Sequence, residues 1–444
     1  MDKKNKTHAR RSAGWIRSAV IYEIYFRSFT PEGTIKNAIK KLPDLRSLGV
    51  TVLWLMPIHP IGITGRKGIC GSPYAVKDYY NVNPEYGTLD DLCNFLREAH
   101  QLGFRVITDL VIGHAAWDNC LTLIHPEWFK KMNREIISPR AEWSDVAAFD
   151  YRKKELRRYM MNMMMFWISE AGFDGFRCDV ADSVPLSFWE EARAMLDKIK
   201  PVIMLSESDH SPSHHRKAFD LSYSTPFYWA LVSVLQGKAD ASKIEAVIKD
   251  ERKRYLHGSL LLRFTSNHDR NVEEGAEISV FGKIGAMLAA AAANTLPGVP
   301  MLYNGQEFGS TKRLSLFEKV KPPHRRNETF FRFYKKLFAL RKKHPAITGG
   351  KLVFLWTSQP SSIVAFSRVS KEEKIVVLMN CSRKAGKFSV SFSPLIGVDE
   401  NIIQCRDLLE GKSFKIQLDE NKSAEFNITG LGWKILDIKS PTHL

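Results

Sequence analysis

Four apolar runs in this chain end in groups able to do chemistry: Asp109-Leu-Val-Ile-Gly-His114, Gly175-Phe-Arg177-Cys-Asp179, Leu205-Ser-Glu207 and Asn267-His268-Asp269. A lone Asp beside an Arg is often a plain ion pair. Three acids, an Arg and two His that converge on one pocket are harder to read that way. Period-two geometry puts Arg177 and Asp179 on the same side of their strand. Cleaving a glycosidic bond with retention needs one carboxylate to attack the anomeric carbon. A second must protonate the leaving oxygen and then activate water. Asp179 suits attack, because the neighbouring guanidinium holds it ionised. Glu207 has no adjacent cation in sequence and suits the acid/base role, which burial and a nearby Asp179 favour. Asp269 would stabilise charge on the oxocarbenium-like centre. Neighbouring strands would hold the carboxylates about 5–5.5 Å apart, the separation of retaining enzymes.

These groups need a scaffold that brings strand ends together. Short β-type runs alternate with amphipathic stretches: Ala19 to Phe29, Val50 to Ile58, Phe104 to Ile112, Gly175 to Val180, Val202 to Glu207, Phe219 to Tyr223, Leu260 to Asn267 and Val299 to Tyr303. Helical patterns separate most of them, notably near 34–48, 89–102 and 153–171. Several runs are continuously apolar, as parallel strands buried on both faces must be. The alternation predicts an α/β fold, a closed (β/α)8 TIM barrel over 18–345 whose strand C-termini carry the chemistry. No GxGxxG turn follows the first strand, which argues against an open doubly wound sheet. A basic arm, 1–17, precedes the barrel, and a short insertion of about 114–152 follows its third strand. From 346 to 444 only β-type runs and polar turns occur, among them 352–356, 363–368, 374–379, 388–392 and 433–437. They predict a C-terminal antiparallel β-sandwich.

Taken together, the four segments resemble the signature regions of the α-amylase family of glycoside hydrolases, glycoside hydrolase family 13. The resemblance runs from about Gly14 into the C-terminal sandwich. It implies Asp179 as nucleophile, Glu207 as general acid/base and Asp269 as transition-state stabiliser. Arg177, His114 and His268 would bind the sugar next to the cut. Tyr74, in Gly71-Ser-Pro-Tyr74, would stack on that ring. The implied activity is hydrolysis of α-1,4 bonds in starch-like glucans or maltooligosaccharides through a covalent intermediate. A transglycosylase with the same acids is the near alternative, and a non-catalytic sugar-binding scaffold is the alternative of another class.

The resemblance breaks at one position. The family usually has Asn before the His of the third-strand motif, often as a ligand of structural calcium, whereas this chain has Gly113. The insertion is also shorter than the domain that completes that site in many amylases. The expectation is no required cofactor and no calcium at the usual place, although other oxygens could build such a site.

Other features read as structure. The chain carries a formal net charge of +17, with basic residues spread along it and dense only at Lys3, Lys4, Lys6, Arg10, Arg11 and Arg17. Without a zinc-finger, RRM or KH signature this reads as a solvated basic surface, with no nucleic acid partner. The window 284–303 contains Pro297, Gly298 and Pro300, too interrupted for a membrane span. No secretory leader is evident, and six cysteines without a CxxC pair suit a reducing compartment. Cytoplasmic placement is therefore expected, with a periplasmic or secreted location as the alternative. Asp209, His210, His214 and His215 do not match a zinc spacing and read as a cleft-lining or helix-capping loop. Five methionines between Met160 and Met165 read as core. Trp117, Trp143 and Trp229 are candidate outer sugar platforms that packing explains as well.

Overall fold

A computed structural model describes residues 8–322 and 327–439. Eight parallel strands close into a barrel: β1 (Ile21–Ile24), β2 (Val52–Leu55), β3 (Arg105–Leu110), β4 (Gly175–Cys178), β5 (Ile203–Ser206), β6 (Leu221–Tyr223), β7 (Leu260–Phe264) and β8 (Val299–Tyr303). Each pairs with its neighbours in chain order, and β8 returns to β1. All but one of their residues, Arg105 of β3, are buried. This is why the runs read as continuous apolar sequence.

The outer layer consists of α1 (Leu42–Leu48), α2 (Leu89–Gln101), α3 (Lys154–Ser169), α4 (Leu186–Ile199), α5 (Thr225–Leu235), α6 (Ser242–Arg254), α7 (Glu277–Thr295) and α8 (Glu328–Lys343). A 3-10 turn, Pro212–Arg216, stands where a helix would follow β5. Thr88 and Asp91 form a reciprocal cap at the start of α2. Met160, Met163 and Met164 are buried in the core from α3. α7 is long and apolar enough to cross a membrane, but its alanine run, Ala289 to Ala293, is buried in the core.

Two expectations are corrected. The first strand ends at Ile24, and Phe26–Phe29 is a helical turn. The chain turns there because the Arg27 guanidinium is buried on Glu85, 2.8 Å away, and on the Leu316 carbonyl. The basic arm is not simply solvated either. Arg10 pairs with Asp220 and, at 3.2 Å, with Asp197, and its amide donates to the His215 carbonyl. Lys3, Lys4 and Lys6 lie outside the described residues.

The C-terminal region is antiparallel. Strands β9 (Lys351–Phe354), β10 (Ile363–Val369), β11 (Lys374–Asn380), β12 (Gly386–Ser391), β13 (Ile402–Asp407), β14 (Ser413–Gln417), β15 (Ser423–Ile428) and β16 (Trp433–Lys439) form a six-stranded sheet and a two-stranded one, β12 with β15. Phe388, Phe392 and Phe426 pack between them with Val376 and Leu436. The other face of the large sheet, with Phe366 and Val377, joins the barrel core. Phe333 of α8 meets Trp433 with ring centroids 5.2 Å apart.

Candidate active site

The barrel register sets the floor of the site. Asp109 of β3 and Arg177 of β4 are directly paired residues, so their side chains leave the sheet on the same side. Arg177 Nη1 lies 2.7 Å from Asp109 Oδ1 and 2.9 Å from Asp179 Oδ1. Its Nη2 lies 2.9 Å from Glu207 Oε2, an ion pair without hydrogen-bond alignment. Its Nε donates to the Tyr223 hydroxyl at 3.2 Å. The planar guanidinium, fully buried, also faces the rings of Trp54, Tyr74 and Tyr223. Burial alone would lower its pKa, but Asp109 and Glu207 more than offset that and raise it.

One sequence expectation about charge is corrected by this floor, and one is completed. Arg177 does not decide the state of Asp179 on its own. Burial, followed by repulsion from Glu207, pushes the Asp179 carboxyl well above its ordinary range, and Arg177 opposes this only in part. Glu207 does have a cation beside it, reached from the neighbouring strand. Its other anchor is the Val180 amide, which donates to Oε2 at 2.7 Å. Val180 adopts φ +37°, a left-handed backbone unusual for a β-branched residue, and that turn aims its N–H at the carboxylate.

A cavity of about 230 Å³ opens above the floor at the C-terminal ends of the strands. Tyr74, His114, Asp179, Glu207, His268 and Asp269 all line it. With Arg177 beneath, all seven residues singled out from sequence are thus brought together. The Tyr74 hydroxyl donates to Asp109 Oδ2 at 3.1 Å and lies 2.7 Å from His268 Nε2. Burial, then Asp109, holds its pKa well above the usual phenol range. His114 Nε2 lies 3.2 Å from the Tyr74 carbonyl, and burial lowers its pKa to about 4. This imidazole is neutral at pH 7. His268 is the opposite case. Burial would lower it, but Asp269 and Glu23 outweigh that and raise it to about 9.

Sequence reasoning missed several contributors. Glu23, an acid inside the apolar run of β1, is fully buried with Oε1 2.6 Å from His268 Nδ1. Ser72, beside Tyr74, lines the cavity too, and Lys67, Asp145 and Phe317 do so from loops that carry no motif. Lys67 Nζ lies 3.0 Å from Asp145 Oδ1 and donates to the Glu142 carbonyl at 2.7 Å. That pair ties the loop after β2 to the insertion after β3. Of the three candidate platforms, Trp143 lines the cavity, whereas Trp117 bonds the Ser144 carbonyl and Trp229 packs under Arg270.

The model of the alpha-amylase catalytic domain matches residues 5–145 and 140–322, most of the barrel. The chain belongs to the α-amylase family. A solved family member, a noncanonic maltogenic alpha-amylase AmyB from Thermotoga neapolitana, superposes with a TM-score of 0.88 at 32% identity, covering 95% of this chain and 99% of that one. An alpha-amylase from Lactobacillus plantarum gives 0.81 at 26%, again over 95% and 99%. Among curated family relatives, Alpha-amylase MalA of Haloarcula japonica is 29% identical over 82% of this chain and 56% of its own length. Alpha-amylase 3 of Dictyoglomus thermophilum is 26% identical over 84% and 87%. The chain therefore spans little more than half of the first of these and most of the second.

The usual calcium position of the family is differently built here. A Cβ on Gly113 would lie 2.5 Å from Ser183 Oγ, so a side chain there requires the Ser183 hydroxyl to move. The Ile112, Gly113 and His114 carbonyls are taken by the Tyr151 hydroxyl, the Phe149 amide and the Tyr79 hydroxyl. Among the described residues no group of three or more His, Cys, Asp or Glu is placed to hold a metal ion. The Asp209 cluster serves the fold: Asp209 Oδ1 accepts from the Thr225 amide at the start of α5, and His214 and His215 are buried.

Proposed function

We propose that the protein is a retaining hydrolase of α-1,4-glucosidic bonds in starch-like glucans or maltooligosaccharides. The observation that carries this is the sharing of one guanidinium, Arg177, by Asp179 and Glu207, with Asp269 facing them across the same cavity. The mechanism needs one carboxylate free to attack, the role of Asp179, and one acid to give up a proton, the role of Glu207. Asp179 attacks C1 while Glu207 passes its proton to the leaving glycosidic oxygen. Water then adds to C1, and Glu207 takes back a proton as Asp179 departs. Asp269 and the imidazolium of His268 bracket the developing charge. Asp269 stabilises the cationic ring, and His268, held by Glu23 and the Tyr74 hydroxyl, fixes Tyr74 beside the sugar. Tyr74 offers its ring to the apolar face of the pyranose.

The names of the relatives support the substrate class. They include maltogenic and other alpha-amylases, cyclomaltodextrinases and an alpha-1,4-glucan:maltose-1-phosphate maltosyltransferase. The last of these supports a second reading, transfer of the glycosyl unit to an acceptor other than water. The hydrogen-bonded carbonyls around Gly113, with no side-chain ligand there, support catalysis without calcium at that place. The test is to incubate the chain with maltoheptaose, isomaltose and soluble starch, following product size and anomeric configuration. Shorter products of retained configuration, lost in Glu207→Gln on natural glucans but recovered on substrates with activated leaving groups, are expected. Products longer than the substrate select the transferase reading. Equal loss on both substrate types removes Glu207 from the acid/base role.

A further inference from the structure

At the end of the barrel opposite the three acids lies a second cavity, of about 610 Å³, between the N-terminal ends of β7 and β8, the end of α6 and the first strands of the sandwich. Five cationic side chains line it, Arg17, Arg252, Arg263, Lys351 and Arg368, against one carboxylate, Glu251. That carboxylate is already committed, since it pairs with Arg263 at 2.7 Å and accepts the Ser224 hydroxyl. Among the described residues, Arg17, Arg252 and Arg368 reach backbone carbonyls and not carboxylates, those of Gly258, Leu352, Thr295 and Gly350. Arg368 is only 2% exposed, and its Nε has no hydrogen-bond partner. Behind it Arg341, equally buried, is held by the carbonyls of Asn294, Arg17 and Gly298, and its Nε is also without a partner.

Gathering cations in a half-buried space without counter-charge is unfavourable. Burial, with repulsion from Arg263, Arg252 and Arg17, lowers Arg368 to about 10, and burial with Arg368 lowers Arg341 to about 9. The fold accepts this cost around a void, which is where a counter-ion would be placed. Guanidinium forks match the oxygens of a phosphoryl group, and a dianion offsets more of the excess than a carboxylate does. The cavity is also much larger than a bare phosphate needs.

We propose that this cavity binds a small phosphorylated metabolite of hexose-phosphate size, its phosphoryl group held by Arg17, Arg252 and Arg368. The bound molecule bridges barrel and sandwich, because Arg252 belongs to the first and Arg368 to the second, with Arg17 reaching in from the arm before β1. The site is separate from the catalytic cavity, so the inference does not depend on the glucan reading.

The experiment is calorimetry and thermal melting of the full chain with glucose 6-phosphate, glucose 1-phosphate, inorganic phosphate and unphosphorylated glucose, at fixed ionic strength set with sodium chloride. Saturable binding of a hexose phosphate, tighter than that of inorganic phosphate, is expected, with a melting temperature that rises with its concentration. Arg17 and Arg252 are exposed, so the Arg17→Gln/Arg252→Gln double variant should fold. It should weaken binding about tenfold or more and leave maltooligosaccharide turnover unchanged. No binding of any phosphate-bearing probe overturns the proposal. So does equal affinity in the double variant, competition by maltose, or binding of inorganic phosphate as tight as that of the hexose phosphates.

Discussion

His268 Nδ1 and Glu23 Oε1 lie 2.6 Å apart, both fully enclosed beneath the catalytic cavity. The pair explains how an imidazole inside a barrel stays charged. Asp269 and Glu23 raise its pKa from 6.5 to about 9 against the effect of burial. A folded pKa above the unfolded one gives stability that is complete below about pH 6.5 and is lost as pH rises through about 9. Unfolding free energy from urea titrations should therefore decline between those limits. Glu23→Gln should cost about 1–3 kcal/mol at pH 6, because it removes one of the two carboxylates that hold the buried charge. It should also flatten the decline. An unchanged slope in the variant would show that Glu23 does not set the His268 proton.

The Asp179 carboxyl is raised well above its ordinary range by burial and by Glu207. Attack requires the ionised form, so kcat/KM should fall on the acid side with a midpoint above the usual ~4 of an aspartate. Removing the repulsive neighbour, as in Glu207→Gln, should move that limb to lower pH on a substrate with an activated leaving group. Asp179→Asn is nearly isosteric and should cut turnover about 10⁴-fold or more with a melting temperature close to that of the parent. An acid limb that Glu207→Gln leaves in place would mean that the two carboxyls titrate independently.

The barrel and the acids were legible in the sequence for the same physical reason. Parallel strands closed on both faces must be continuously apolar, so Asp179, Glu207 and Asp269 stand out where such runs end. Glu23 was hidden by that logic, because an acid inside β1 looks like an interruption until His268, far along the chain, is seen to neutralise it. Lys67 and Asp145 were invisible, since loop residues with no periodicity acquire a role only when two loops meet. In the sandwich, β13, β14 and β15 escaped notice because Gln404, Arg406, Glu425 and Asn427 alternate with the inward residues of β13 and β15, and β14 is largely exposed. Arg10 read as a solvated charge because nothing local pairs with it. Its partners, Asp197 and Asp220, come from α4 and the approach to β6.

The Lys67–Asp145 pair, 3.0 Å apart, joins two loops over the cavity, with Asp145 nearly enclosed and Lys67 partly exposed. Lys67→Met should loosen the junction without touching the acids. A half-exposed pair of this kind contributes about 1 kcal/mol or less. The expected result is a KM for maltoheptaose raised up to about fivefold, a nearly unchanged kcat, and a shift in product length. A drop in kcat with KM unchanged would assign the loop to the chemical step instead.

The expectation of no calcium at the usual place is open to a direct test around Gly113. In place of a side-chain ligand there is Ser183 Oγ, 2.5 Å from where a Cβ would stand, and the three carbonyls from Ile112 to His114 are already bonded within the chain. A cation there would share carbonyls that already accept a hydrogen bond and would find no side-chain ligand at Gly113. A structural ion present at 1,000 times its Kd adds about 4 kcal/mol to stability, enough to move a melting temperature measurably. Dialysis against a chelator should therefore leave the melting temperature and the glucan-cleaving rate unchanged. A fall of several degrees, restored by calcium, would place a bound ion at this junction. The packing argument has its own check. Gly113→Asn should destabilise by about 1–3 kcal/mol through overpacking. Gly113→Asn with Ser183→Gly should recover most of that loss, because the clash and not the backbone conformation is what excludes a side chain.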